Sequence, residues 1–375
     1  MFRWLFYNIF IFSVLLPNFK AAELFAPGFA ISCSQSRDSI RNATLFENNE
    51  ILHLSFEGDI KKLMQDRSDD AARHSLVLRY KDSDSLEFTI PIEARTRGNF
   101  RRKLGNCRYP PIMLYFLAGS SKDSSIFAGQ KKLKLVMPCR DNEYVIKEWL
   151  AYQIYNLITP HSFRAKLVDL KLINSRKKEV DQIYAILLED EDEMAKRNGS
   201  FSISRQKLHP SRTDSQAFFK LAMFEYLIGN TDWSVQYMQN IKLIMKDTTS
   251  GELPIAVPYD FDMSGWVDAP YAKPAAALYL NSVRTRRFRG YCVNDMAVYT
   301  PAIDLFRSVR KDIYTLINSN PYLTPKTIKA EIEYLDAFYK TLDDPQKLKK
   351  DLLYPCEKNG TGNVVIRGLQ SQMEE

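Results

Sequence analysis

Residues 51–136 hold five short runs, "ILHLSF", "SLVLRY", "LEFTIPIEA", "PIMLYFL" and "KLKLVM", with alternating or β-branched apolar content. A period of two puts one set of side chains on one face, so each run reads as a strand. Asp, Ser and Gly clusters between them supply turns. The polar stretch "DIKKLMQDRSDDAARH" is a short helix or loop between the first two strands. A longer helix follows the fifth, because Ile146, Trp149, Leu150, Ile154 and Leu157 recur at helical spacing and Pro160 ends the run. "AKLVDLKLI" and "QIYAILLED" return to strand. Residues 51–190 are thus expected to form an N-terminal lobe of antiparallel sheet carrying one helix.

After Glu189 the pattern changes. "EDEMAKRNG" reads as a short helix closed by Gly199, and "TDSQAFFKLAMFEYLIG" opens with a capping-box pairing of Thr213 with Gln216. Two short strands, "NIKLIM" and "PIAVPY", bracket the turn "KDTTSGE". Thr300-Pro301 and Thr324-Pro325 are N-cap-plus-Pro helix starts. Residues 191–375 therefore read as a mainly helical lobe with one β-hairpin. The class is α+β, two-lobed, and 375 residues with 45% hydrophobic and 26% charged content suffice for it.

The first 22 residues have one early cation, Arg3, an apolar run from Trp4 to Leu16, then Ala21 and Ala22. That is the layout of a signal peptide, and the run is short for a membrane span. Residues 23–50 form an N-terminal extension. Phe19 and Lys20 depart from the small residues preferred before cleavage, which leaves an uncleaved anchor as the alternative. No later segment is long and apolar enough to cross a membrane. Five cysteines, Cys33, Cys107, Cys139, Cys292 and Cys356, show no CxxC or Cys/His spacing and fit an exported, disulfide-bearing chain, secreted or periplasmic. An odd count leaves one unpaired. Cys107 with Cys139 is the preferred bridge, because both flank strands that could be neighbours. Asn42, Asn198 and Asn359 begin glycosylation sequons for a eukaryotic host.

The net charge of +7 comes partly from "RTRGNFRRK" (residues 95–103) and "RTRRFR" (residues 284–289). Such runs read as solvated faces or as partners for the phosphates of a small ligand. No zinc finger, recognition motif or long basic tail points to nucleic acid. His161 and His209 lack a Cys or His partner at ligand spacing. No Gly-x-Ser-x-Gly or His-Glu-x-x-His motif is present, so serine hydrolase and zinc protease chemistry find no support.

The hairpin is where the chemistry gathers. Asn230 and Asp232 follow an apolar helix that Gly229 can end, Asn240 opens "NIKLIM", and Asp260 and Asp262 close "PIAVPYDFD". If the two strands pair, Asn240 and the Asp260/Asp262 pair converge, with Asp232 a loop away. An amide and two or three carboxylates suit Mg²⁺ or Mn²⁺, which bind through one or two carboxylates plus substrate phosphates. A carboxylate outside the metal shell can orient or deprotonate an attacking hydroxyl. Loop Asp, then Asn, then strand-end Asp is the order used in phosphoryl transfer.

The chain resembles the spore-coat CotH kinase family, an atypical branch of the protein-kinase-like fold, and more distantly the HipA kinases. "RTRGNF", "KLKLV", "EYVIKEWLAYQIYNLI", "LVDLKLIN", "YAILLEDED", "GNTDWSVQYMQN" and "VPYDFDMSG" carry the likeness across most of residues 90–265. The resemblance implies Asp232 as the catalytic Asp with Asn230 steadying its loop, and Asn240 and Asp262 as metal ligands with Asp260 a second. It implies Lys132 or Lys134 at the phosphates, paired with Glu143 or Glu148. Arg97 and Asn99 of "RGNF" would lie near the phosphates, and Glu189 and Asp190 near the adenine. Asn240 lies eight residues after Asp232, a longer spacing than in conventional kinases, so Gln236 and Gln239 are alternative ligands. An exported protein meets little ATP outside a secretory lumen. Three functions follow as expectations: an ATP- and Mg²⁺- or Mn²⁺-dependent kinase acting on a protein or small-molecule hydroxyl, a nucleotide- or anion-binding pseudokinase, and a nucleotide-sugar transferase using Asp260 and Asp262 for metal.

Overall fold

The computed structural model describes residues 45–352 apart from 120, 177–178, 205–206, 248, 250 and 294. The expected signal peptide, most of the extension, Cys33, Cys356, and the sequons at Asn42 and Asn359 lie outside the described residues. The first half runs β1 (Leu52–Gly58), α1 (Ile60–Gln65), β2 (His74–Lys81), β3 (Glu87–Thr96), β4 (Ile112–Phe116), β5 (Lys132–Val136), α2 (Asn142–Ile158), β6 (Ala165–Asn174) and β7 (Val180–Leu188). Every strand read from alternation is present. The sheet, however, is not an open antiparallel one. Its strands close into a seven-stranded barrel in the order β1-β2-β3-β4-β5-β7-β6, and the joint that closes it, β1 with β6, is parallel. The alternating set of side chains fills the barrel: Leu54 and Phe56, Leu76 and Leu78, Ile90 and Ile92, Ile112 and Leu114, Leu133 and Leu135, Leu170, Ala185.

The second half holds α3 (Glu191–Arg197), β8 (Phe201–Ile203), α4 (Ser215–Ile228), β9 (Ile241–Met245), β10 (Ile255–Pro258), α5 (Thr300–Ser308), α6 (Arg310–Asn318), α7 (Pro325–Asp343) and α8 (Pro345–Leu352). β9 and β10 pair antiparallel as the expected hairpin, and the short β8 adds to β9 as a third strand. Neither sheet is doubly wound, the architecture a nucleotide-sugar transferase reading would need. Barrel and helices belong to one compact unit. Among the described residues no helix is long and apolar enough to cross a membrane.

Capping corrects two expectations. The N-cap of α4 is Asp214, whose carboxylate accepts from the Ala217 N–H, while the Thr213 hydroxyl turns back to the Pro210 carbonyl. Asp214 wins because it stands where its side chain reaches an amide of the first turn. Thr300 is the first residue of α5 rather than its cap, because a 3₁₀ turn over Met296–Tyr299 already feeds the helix. Thr324 does cap α7, accepting from the Thr327 N–H.

Helix α2 is buried on nearly every face, packed on β6 and β7 and on α4 and α6. A helix apolar all round belongs inside. Two charged residues on it are buried as well, and both have charged company. Lys147 pairs with Glu331 of α7 at 3.4 Å, and Glu148 faces Arg101 in the barrel loop after β3. Cys107 and Cys139 form the expected disulfide, Cα atoms 4.4 Å apart, tying that loop to the segment after β5.

Candidate functional site

Helix α4 ends at Gly229, whose φ of 65° is the left-handed conformation that closes a helix. A Cβ there would run into the Tyr334 hydroxyl, so glycine is needed for space as well as for φ. Released from the helix, the chain makes a short loop. The Asn230 side chain accepts from the Asp232 N–H at 2.9 Å. The carboxylate of Asp232 in turn accepts from Gln239 Nε2 and from Asn240 Nδ2, the latter at 3.1 Å, and Asn240 Nδ2 also reaches the Asp232 carbonyl at 2.7 Å. Gln236 lies in the turn between, its carbonyl accepting from the Lys207 N–H.

The hairpin register brings the two ends together. Ile241 is opposite Pro258, and the Tyr259 N–H donates to the Asn240 carbonyl at 3.0 Å. Asn240 and Asp260 both adopt positive φ, 49° and 66°, a region that Asn and Asp tolerate better than other side chains. In Asp260-Phe261-Asp262 the middle residue turns inward: Phe261 is fully buried between Tyr152 and Phe224, ring centroids 4.6 and 5.3 Å away. Its neighbours turn instead toward the cations of the barrel. The Asp260 N–H is held by the Tyr152 hydroxyl at 2.9 Å. The segment after Asp262 is stitched to the end of α4, with the Trp266 N–H on the Ile228 carbonyl and the Gly265 N–H on that of Gly229.

Lys134 of β5 reaches Asp260 Oδ2 at 3.2 Å. Lys132, two residues earlier on the same strand, points to Asp190 at 3.4 Å and is half exposed. Of the two acids on α2, Glu143 accepts from the Thr327 hydroxyl of α7, whereas Glu148 is buried beside the Asp260/Asp262 pair. Arg101 lies 3.8 Å from Glu148 Oε2 and 3.6 Å from Asp262 Oδ2, with a further bond to the Met137 carbonyl. Tyr271 donates to Asp262 at 3.0 Å and its ring packs on Phe100. Arg97 is half-buried and its charge acts on Asp260, while Asn99 is exposed on the same loop.

Sequence reasoning missed Arg101. Within "RTRGNFRRK" nothing local distinguishes it from Arg102, which instead bonds the Ser68 carbonyl and Asp69. The Glu189 carboxylate takes two bonds from Arg197 and one from the Arg164 N–H, all at 2.9 Å. Asp190 caps α3.

Electrostatics separates the three acids. Burial, reinforced by Asp260 and Asp262, pushes Glu148 up to about 8. Burial and the neighbouring Asp260 raise Asp262. Burial opposes ionisation of Asp260 too, but Lys134, Arg101 and Arg97 outweigh it and hold the carboxyl below its ordinary value. Groups pushed apart in this way are typical of sites that bind or transfer charge. Glu148 Oε1 and Arg101 Nε are buried with no hydrogen-bond partner, so the cluster is built but not fully satisfied. Among the described residues no three His, Cys, Asp or Glu side chains form a metal cage. Two Asp carboxylates and the Asn240 amide oxygen, whose nitrogen is spent on Asp232, still match what Mg²⁺ takes from protein when phosphates complete its shell.

No family model and no curated protein matches the chain. Among solved structures it is similar to the Helicobacter pylori proinflammatory kinase CtkA, at 11% identity and a TM-score of 0.38, over 66% of this chain and 92% of that one. The likeness is distant, and the chemistry of the site is carried by this chain's own residues.

Proposed function

We propose that the protein is an atypical kinase that moves the γ-phosphoryl group of ATP to a hydroxyl of a protein or small molecule, with Mg²⁺ or Mn²⁺. The observation that carries this reading is the meeting of Lys134 on the barrel with Asp260 at the hairpin's end, beside the buried helix acid Glu148 and next to the Asp232–Asn240 pair. A strand lysine, a helix acid, a loop Asp, an Asn and a strand-end Asp are the parts that phosphoryl transfer uses in protein kinases. The pairing differs from that scheme: Lys134 contacts Asp260, and Glu148 faces Arg101.

In the step, the acceptor oxygen bonds to the γ-phosphorus as the bond to the β–γ bridging oxygen breaks. ADP leaves with the electron pair, and the hydroxyl proton passes to the Asp232 carboxylate. Gln239 and Asn240 orient that carboxylate, and Lys134, Arg97 and Arg101 supply positive charge for the phosphates. A divalent cation held by Asp260, Asp262 and the Asn240 oxygen would neutralise charge on the β- and γ-phosphate oxygens. Three acids, Glu148, Asp260 and Asp262, face Arg101 and Lys134 at close range.

One observation favours a second reading, a nucleotide-binding protein without turnover. Asp262 is already engaged by Tyr271 and Arg101, which a pseudokinase could keep permanently. Thermal unfolding with ATP plus Mg²⁺ or Mn²⁺ decides whether nucleotide binds: at a hundred times its Kd the shift corresponds to about 2.7 kcal/mol, and it should vanish in Asp262→Ala. No shift with any nucleotide and metal would sink both readings. Release of ADP from Mg·ATP, with water as acceptor, then separates them. Asp232→Asn should keep the thermal shift and lower turnover by about 10²–10⁴-fold; a parent that binds but never turns over is the pseudokinase.

A further inference from the structure

The sequence run "RTRRFR" offers four cations that read as surface, and three of them are not. Arg284 bonds the Gly265 carbonyl and pairs with Glu331, 3.3 Å away. Arg286 bonds the carbonyls of Leu227 and Tyr334. Arg289 is buried and donates through one nitrogen, Nη1, to the carbonyls of Thr231, at 2.8 Å, and Trp233. Those two carbonyls flank Asp232. The guanidinium lies over the Trp233 ring, 5.2 Å from its centre. Close by is Glu225 of α4, buried, its carboxyl pushed well above the ordinary range by burial, with the Asn230 amide and Arg289 acting against that rise.

We infer that Arg289 is the positioning residue of the Asp232 loop, gripping the backbone on both sides of that aspartate so that its carboxylate is presented at one fixed place beside Asn240. This rests on the phosphoryl-transfer reading of Asp232. The physical case is one of degrees of freedom. The Asp232 side chain is oriented by Gln239 and Asn240, and its amide by Asn230. Those contacts come from within the same short loop and could move together with it. Arg289 instead joins the loop to a segment more than fifty residues away in sequence, Thr231 by 58 positions and Trp233 by 56. Carbonyls flanking a turn residue are acceptors whose direction sets the turn's plane, and a charged donor bonds them more strongly than a neutral one. Glu225 and Asn230 give the loop a polar floor at the end of α4. Arg289 does not touch the reacting atoms and is therefore not a catalytic residue.

The test uses the full chain and two variants. Arg289→Lys keeps a charge near Glu225 but shortens the reach. Glu225→Gln/Arg289→Gln removes both titratable groups, so that folding is not confounded by a buried carboxyl left without its cation. Two readouts are taken: ADP release from Mg·ATP with water as acceptor, and hydrogen exchange of the Asp232 and Trp233 amides. Displacement of a catalytic group by about an ångström costs on the order of 10²-fold, so the double variant should lose about 10–100-fold in kcat with KM for Mg·ATP unchanged. Arg289→Lys should recover part of that loss. Exchange at Asp232 and Trp233 should quicken in the double variant while exchange in β9 does not.

Unchanged kcat and unchanged exchange in a folded double variant would overturn the inference, as would a rise in KM with kcat intact. Quickened exchange together with a parent that shows no turnover keeps the backbone clamp and removes the kinase reading, so the two failures are distinguishable.

Discussion

The two arginine-rich stretches look alike as sequence and do different work as structure. In residues 95–103, Arg101 is drawn to carboxylates: Glu148 and Asp262 lie within 4 Å of it, in the candidate site. In residues 284–289, Arg286 and Arg289 are drawn to backbone carbonyls, at Leu227 and Tyr334 and at Thr231 and Trp233. The first stretch balances buried charge. The second, apart from the Arg284–Glu331 pair, satisfies oxygens of the main chain, three of them where α4 ends and its loop begins, a place where carbonyls lose their intrahelical donors. A net charge of +7 summed over the chain therefore does not become a positive surface when guanidinium groups are consumed inside.

This contrast can be broken experimentally. Arg101→Met should be the most damaging change in either run, because it strands two buried carboxyl groups; a loss of about 3–5 kcal/mol is expected in denaturant unfolding. The charge balance around it can be tested by pH. Folding raises the Glu148 pKa to about 8, so the folded protein holds a proton that the unfolded chain has shed. Its contribution therefore makes stability fall as pH rises from about 4.5 to about 8. Glu148→Gln should flatten that part of the stability curve, and an unchanged slope would mean that Glu148 is already ionised. Arg286→Met leaves carbonyls rather than carboxylates and should cost less, about 1–3 kcal/mol. A larger loss there than at Arg101 would reverse the assignment of the two runs. Arg287, exposed in the same run, should tolerate alanine to within about 0.5 kcal/mol.

Much of the fold could be read from local pattern, and what could not has a common cause. Strands such as β2 and β3 declare themselves through alternation, because a half-buried strand must alternate. The hairpin placed Asn240 beside Asp260 as soon as its turn was recognised, since adjacency across a turn follows from local chemistry. The parallel joint of β1 to β6 was invisible, because nothing in "LHLSF" names a partner more than a hundred residues later. The three-residue β8 was too short to show a period. The same limit explains Arg101 and Arg289: each owes its role to groups brought from other elements, and neither carries a local mark. The pairing of Glu148 was open for the same reason, and tertiary placement distinguishes it from Glu143, which Thr327 of α7 engages.

The way the barrel closes has a consequence for how the chain can be made. β1 is synthesised before the other strands of the barrel, yet its second neighbour is β6, and β5 finds its second neighbour only in β7. Until Leu188 has left the ribosome the five early strands can form at most an open ribbon with two unpaired edges, the kind of surface on which chains stick to one another. A nascent chain halted between Val136 and Leu188 should therefore need a chaperone's cover for those edges, and one extended past Leu188 should no longer need it there.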